Sequence, residues 1–449
     1  MAFPESSVQS EKLWRRAARV MPAGLTRSTL ARKPFTIYAQ SGQGAYITDV
    51  DGVTRIDMTN NYWSLIHGHA HPKIGEAVID QVARGTAFAM PTEADVMFAE
   101  YLVDRIPSVE KIRFGNSGSE AVMTAIKVAR ALTGRSRIAK IEGFYHGSYD
   151  YAEVSLSAGP GNWGRGDHPT SSLYAPGAPQ SMAEDVVVLP FNDVEASRAI
   201  LEAETQKGGL AGILVDPVSH SSGLVPCSDE FLKMLRDYCD RTGSVLIFDE
   251  VFSFRCSYRG AQELTAVKPD LTALGKVIGG GLPVGAVGGT AAAMAVLEEE
   301  GNAPRLSHGG TFSANPVTMA AGLTAMTLFT AEEVERLNML CQTVCDQLRA
   351  GLATLGNLGV RASVRQSASF FAVYLTEEAP DTYRALAEHK AKVPGLYDRL
   401  EHELVNHGIL GNGRSIFSLS TPMTDDDVPT IVNGICASVE AVARQGGFA

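Results

Sequence analysis

A chain of 449 residues with 45% hydrophobic and 20% charged side chains and no low-complexity tract is long enough for a large buried core and is not a disordered scaffold. Its net charge of −11 and the lack of any long Lys/Arg run speak against a nucleic-acid partner, since phosphate contact needs a basic stripe. Six cysteines (Cys227, Cys239, Cys256, Cys341, Cys345, Cys436) without CxxC spacing suggest neither a zinc site nor a disulfide framework, and read as free thiols in a reducing compartment.

The amino terminus lacks an apolar signal core. Its Leu13, Ala17, Val20 pattern reads as an amphipathic helix, so a cytoplasmic protein is expected. The segment AYITDVDG makes a hairpin-like turn, and the first 60 residues are expected to pack on a carboxy-terminal domain. In HGHAHP the alternating His67, His69 and His71 could face one metal if they end a strand.

From about residue 60 to 320 short apolar runs alternate with helical stretches, the pattern of a mostly parallel sheet covered by helices. FGNSGSEAVMTAIKVAR gives a strand, a tight turn and a helix. Ser117, Gly118 and Ser119 then offer N–H and hydroxyl donors at a helix N-terminus, a phosphate cradle by geometry and dipole; ordinary capping would use the same residues. EGFYHGSYD follows the strand RIAKIE and puts Tyr145 and His146 at a strand end, where a ring can stack on a flat cofactor or serve structure alone.

Next, LAGILVD is a buried strand, Ser228 caps a helix carrying Phe231, Leu232, Leu235 and Tyr238, Gly243 ends it, and SVLIFD is the following strand. Asp216 and Asp249 therefore fall at carboxyl ends of strands, where ligands of open α/β sheets sit. An acid closing so apolar a strand needs a cation, and a protonated pyridine nitrogen is one; a helix cap is the alternative for Asp249.

DLTALGKVIGGGLPVGAVGG sets Lys276 between an apolar strand and a glycine-rich loop. Desolvation there favours the neutral, nucleophilic amine. A P-loop fails, because Asp270 holds the first glycine position and Val277 follows the lysine. The uncharged stretch Ile278 to Leu297 contains six glycines and Pro283 and reads as buried loops and a strand, not a membrane span. After 320, a helix from Ala331 to Leu355, strand-like FFAVYL and SIFSLS, and a last helix near Asp425 to Arg444 suggest an α+β domain.

In this order NSGSEA, GFYHG, FDEV, LGKVIGGG and GGTFSANP resemble the class III aminotransferases across essentially the whole chain. Within them the chain resembles the β-amino-acid (β-phenylalanine-type) aminotransferases and glutamate-1-semialdehyde 2,1-aminomutase. The resemblance implies an α/β, aspartate-aminotransferase-like fold type I, with a large, mostly parallel seven-stranded sheet domain and a smaller α+β domain. The boundaries expected are 1–60 for a segment packing with the small domain, 61–320 for the large domain and 321–449 for the small one. It also implies a homodimer with shared active sites.

The cofactor implied is pyridoxal 5′-phosphate (PLP). Lys276 would form the Schiff base and shuttle the substrate proton, and Asp249 would keep the pyridine nitrogen protonated. Ser117, Gly118 and Ser119 would hold the phosphate, Tyr145 would stack on the ring with His146 and Val251 beside it, and Thr311 would reach the phosphate from the partner subunit. Asp216 stands where the family usually has Glu before Pro, and its shorter side chain leaves its contact open. The family uses a similar GHxHP turn structurally, so no metal is expected.

Arg27 in GLTRSTL and Arg414 in GNGRSIFSLS match arginines that take substrate carboxylates in such enzymes, by a bidentate fork; a surface salt bridge is the plainer reading of each. Tyr62, Trp63, Ser64 and Phe252 are expected as pocket walls. FDEVFSFR is one residue shorter than the form usual in the aminomutases, which tilts the reading towards transfer from an amino acid, a β-amino acid by preference, to 2-oxoglutarate or pyruvate by a ping-pong cycle. The alternative is the aminomutase, against which Arg414 and HGGTF speak.

Overall fold

The computed structural model describes residues 2–300 and 303–446. The runs IAKI, VVVL, GILV and VLIFD are buried at every position, as strands must be when helices cover both faces of a sheet. They belong to a seven-stranded sheet of β1 (Lys111–Gly115), β2 (Ile138–Ile141), β3 (Val186–Leu189), β4 (Gly212–Val215), β5 (Val245–Asp249), β6 (Leu271–Gly275) and β7 (Gly285–Gly289). The spatial order is β1-β7-β6-β5-β4-β2-β3. Only β7 runs antiparallel, to both its neighbours.

One face of the sheet is covered by helix α1 (Gly118–Thr133), whose Val122, Ala125, Ile126 and Ala129 pack with Ile247, Leu271, Ala273 and Val287. On the other, Phe231, Leu232 and Leu235 of helix α2 (Asp229–Thr242) pack with Ile213, Leu246 and Phe248. Both ends of α2 are as its sequence implies: the Phe231 N–H donates to Ser228 Oγ at 3.1 Å, and Gly243 closes it at φ 68°.

The chain divides into two compact units. One comprises Lys73–Val334 with Pro380–Glu388 and holds the large sheet; the other comprises Met1–Pro72, Glu335–Ala379 and His389–Ala449. In the second unit Tyr46–Asp49 and Thr54–Asp57 pair antiparallel, and Ile409–Leu410 joins Thr54–Asp57 in parallel. A separate sheet holds Ser363–Ser367, Phe370–Tyr374 and Ile416–Ser418. The first helix, Val8–Ala17, is shorter than its apolar pattern suggests. Val20 is 81% exposed, because the chain leaves the helix before Pro22, which opens a 3₁₀ turn.

The short segment Pro380–Glu388 is tied to the rest of the large-sheet unit through a partly buried ion pair. Arg384 donates to both carboxylate oxygens of Glu142, at 2.7 and 2.9 Å, and to the carbonyls of Trp163, Gly164 and Arg165 at 2.7, 3.0 and 3.0 Å. Its guanidinium also lies 4.8 Å from the Trp163 ring centroid. Beside it Tyr383 covers Gly143, at which a Cβ would sit 2.1 Å from the tyrosine ring.

Lys140, on β2, is buried with Nζ donating to the carbonyls of Phe144 and Val154 at 2.9 and 2.8 Å. Two acceptors match the two N–H bonds of a neutral amine. Desolvation lowers its pKa from 10.5 to about 7, against the pull of Glu142 and Glu153. The unfolded lysine therefore holds its proton over a range in which the folded one has lost it, so this group adds stability as pH rises from about 7 towards 10.5. The thermal midpoint of the wild type, minus that of Lys140→Met, should climb across this range; a flat difference would show the amine to be charged where it is buried.

Candidate active site

On parallel strands β4 and β5, Val215 lies opposite Phe248, so the next residues, Asp216 and Asp249, emerge side by side at the carboxyl edge. Both are buried. One strand further on, Lys276 directly follows β6. Three ionisable groups thus share the crevice where an open sheet binds ligands.

Asp249 Oδ1 accepts the Val251 N–H at 3.0 Å, and Oδ2 pairs with His146 Nδ1 at 2.8 Å. A carboxylate only accepts, so Nδ1 carries the proton. Burial lowers the pKa of His146 despite the hydrogen bond to Asp249, which keeps the ring neutral. Its Nε2 is buried without a partner. His146 thus acts on Asp249, holding it in place. Burial first, and the charge of Asp249 second, push the Asp216 carboxyl well above the usual range, against the Val218 N–H and Lys276. The charge of Asp249 disfavours ionisation of the carboxyl beside it, and burial of Asp216 acts in the same direction.

The Lys276 amine lies 5.4 Å from the centroid of the Phe252 ring. Its backbone is left-handed, at φ 50°. Phe252 meets His220 edge-on at 5.4 Å, and His220 lies 6.1 Å from Tyr145, so three rings line up from the lysine towards Tyr145. His220 went unmarked in the sequence. The one signal for it is its place just past the strand-ending acid, in DPVSH.

At the start of α1, Ser117 Oγ accepts the Glu120 N–H at 3.2 Å and Ser119 Oγ accepts the Ser148 N–H at 3.0 Å. These hydroxyls fix local structure. The N–H groups of Gly118 and Ser119 open the helix, where no intrahelical carbonyl can take them, and with the helix dipole behind them they suit an anion. Bulk is excluded: a Cβ on Gly118 would sit 2.7 Å from Val251 Cγ1, and one on Gly285 would sit 1.9 Å from the Ser117 carbonyl oxygen. Val251 thereby links the cradle to Asp249, two residues before it. The edge suits a flat group with a phosphate at one end and a cationic ring nitrogen at the other.

Thr311 is exposed, in a loop tied by Asn315 Nδ2 to the Thr86 carbonyl at 2.7 Å. Arg27, Tyr62, Trp63 and Arg414 all belong to the other unit. There Arg27 Nη1 donates to Asn61 Oδ1 at 3.1 Å, and its guanidinium lies 5.8 Å from the Tyr62 ring. Both line a cavity of about 670 Å³, together with Tyr38, Leu65, His69 and Leu410. Trp63, expected in a pocket wall, is 2% exposed and packs edge-on against Phe370 at 6.2 Å. Arg414 is half-buried, and its charge lowers the pKa of Lys390, second to desolvation.

The histidines of HGHAHP bond elsewhere: His69 Nε2 to Asp57 Oδ2 at 2.8 Å and His67 Nδ1 to Thr421 Oγ1 at 2.9 Å. Among the described residues no group of three His, Cys, Asp or Glu side chains could hold a metal, and no helix is long and apolar enough to cross a membrane.

A family model described as aminotransferase class-III matches residues 28–426. A glutamate-1-semialdehyde 2,1-aminomutase of Methanopyrus kandleri is 38% identical over 434 residues, 95% of this chain and 96% of its own length. Among solved structures, an omega-transaminase from Sphaerobacter thermophilus is 47% identical with a TM-score of 0.90, covering 97% of this chain and 98% of that one. A β-phenylalanine aminotransferase from Variovorax paradoxus is 32% identical with a TM-score of 0.83, covering 98% and 96%.

Proposed function

This chain belongs to the class III aminotransferases, enzymes that use PLP, and on that premise we propose that it moves the amino group of a β-amino acid to a keto acid such as 2-oxoglutarate or pyruvate. The observation that carries the reading is the strand-end set: Lys276 at one side of the crevice, and Asp249, held by two donors, on the next strand.

When bound, PLP supplies an aldehyde that captures an amine and a ring that takes up electrons. The residues present fit it. The N–H groups opening α1 hold the phosphate, and Val251, with the glycines around it, leaves room only for something thin. Asp249 is a buried carboxylate suited to the cation a protonated ring nitrogen provides, and burial and neighbouring charge disfavour ionisation of Asp216 beside it. Lys276 is the nucleophile and moves the proton to and from the substrate carbon, with Phe252 keeping water from its amine. Tyr145 covers a ring face. Arg27 and Arg414 take carboxylates of donor and acceptor, two cations suited to two acidic substrates.

The second reading, an aminomutase, is favoured by the name of the Methanopyrus relative. Against it stand the fuller likeness to the omega-transaminase and the sequence features named above. Adding 3-amino-3-phenylpropanoate without an acceptor should convert the yellow protein stoichiometrically to its pyridoxamine form, and 2-oxoglutarate or pyruvate should restore the colour. No spectral change with this or any other β-amino acid, together with isomerisation of glutamate 1-semialdehyde, would decide for the aminomutase.

A further inference from the structure

Four consecutive residues without a glycine, Asn60, Asn61, Tyr62 and Trp63, have φ of 46, 49, 54 and 72°. They form one turn of left-handed helix. Each such residue costs roughly 1–2 kcal/mol, and left-handed residues ordinarily occur singly. A run of four persists only where the surroundings impose it, and such strain concentrates where function needs a particular geometry.

The surroundings here are specific. Asp57 Oδ1 accepts from the Thr59 N–H, the Thr59 hydroxyl and the Asn60 N–H at 2.9, 2.9 and 3.0 Å. Asn60 Nδ2 donates to the carbonyl and hydroxyl oxygens of Ser418 at 2.9 and 3.0 Å. The buried Trp63 ring and the Tyr62 hydroxyl, which donates to the Thr29 carbonyl, complete the clamp. Asn61 alone of the four is exposed. Its Nδ2 donates to Ser64 Oγ at 3.2 Å, which turns Oδ1 towards Arg27.

We propose that the left-handed turn Asn60–Trp63 is a positioning device for Arg27, with Asn61 as the residue that holds the guanidinium ready for a substrate carboxylate. The proposal rests on the reading of Arg27 given above. The choice of an amide is telling. Of the arginines lining the same cavity, Arg32 pairs with Glu401 at 2.8 Å and Arg55 with Asp49 at 2.6 Å, which neutralises both. Arg27 is held by a neutral oxygen and a ring face, so its orientation is set while its charge stays available. A carboxylate at position 61 would orient it equally well and compete with the substrate.

The test compares 3-amino-3-phenylpropanoate with 1-phenylethylamine, which is the same amine without the carboxylate, on the holoenzyme. Asn61→Gly should raise KM for the acid about tenfold, the scale of one hydrogen bond to a charged group, with kcat and the KM for the amine unmoved. Its thermal midpoint should stay level or rise, because glycine takes a positive φ without penalty. Asn61→Asp should raise the acid's KM further still. A residue that served only the fold would lose stability and affect both donors alike, and that result overturns the proposal. If Arg27→Ala raises the acid's KM and Asn61→Gly does not, the proposal alone falls. If Arg27→Ala moves neither KM, the reading of Arg27 falls and takes this one with it.

Discussion

Lys276→Ala should lower turnover by about a thousandfold or more while leaving PLP bound. On the proposed reading the lysine carries two tasks, nucleophile and proton carrier, and positioned proton transfer alone is worth roughly 10²–10⁴. The other buried amine near this edge, Lys140, is tied to the carbonyls of Phe144 and Val154. Asp216 holds its proton tightly because burial and Asp249 both raise its pKa, and His146 is committed to Asp249. The phosphate cradle, built from the backbone of α1, is untouched by the change, so cofactor should co-purify without the covalent absorbance band. Borohydride treatment of the wild type should fix a pyridoxyl group on the peptide containing residue 276. Its attachment to another lysine, or near-normal turnover of the alanine variant, would remove the basis of the whole reading.

Asp249→Asn should cost about 10²–10³ in turnover, from loss of the anion that keeps a ring nitrogen protonated, a contribution of the order of a proton-transfer group. The amide also has one acceptor where the carboxylate had two. Either His146 Nδ1 or the Val251 N–H must lose its partner, at about 1–3 kcal/mol for a buried polar group. His146 cannot escape by shifting its proton, because Nε2 meets no acceptor. Asp216→Asn makes the opposite prediction, since burial and the charge of Asp249 already disfavour the ionised form of Asp216 and the amide is uncharged, so turnover should stay within about threefold. Equal losses for the two variants would mean that the charge is shared and not confined to Asp249.

Much of this was legible because apolar strands and caps announce themselves locally. SVLIFD could end only in an acid at the carboxyl edge, and Ser228 and Gly243 bracket α2 as capping chemistry requires. Lys276, Asp249 and the Ser117–Ser119 turn share one edge because each stands at or just past the carboxyl end of a strand. What was hidden depends on neighbours distant in sequence. Asn60–Trp63 reads as an ordinary polar-aromatic stretch, and its handedness is imposed by Asp57 and by Ser418, which lies 358 positions away. The packing of Trp63 against Phe370 is likewise invisible locally. The raised pKa of Asp216 follows in part from strand register, which sets it beside Asp249 and which the run LAGILVD does not encode.

The Arg384–Glu142 pair sets an order of events during synthesis. The two residues are 242 positions apart, and a ribosome adding about 5–20 residues per second needs roughly ten to fifty seconds to travel from one to the other. For that interval Glu142 and Gly143, which lead into the loop bearing Tyr145 and His146, have neither their guanidinium nor their covering ring. The large-sheet unit is therefore completed only once Pro380–Glu388 has been made, although Lys276 emerges more than a hundred residues earlier.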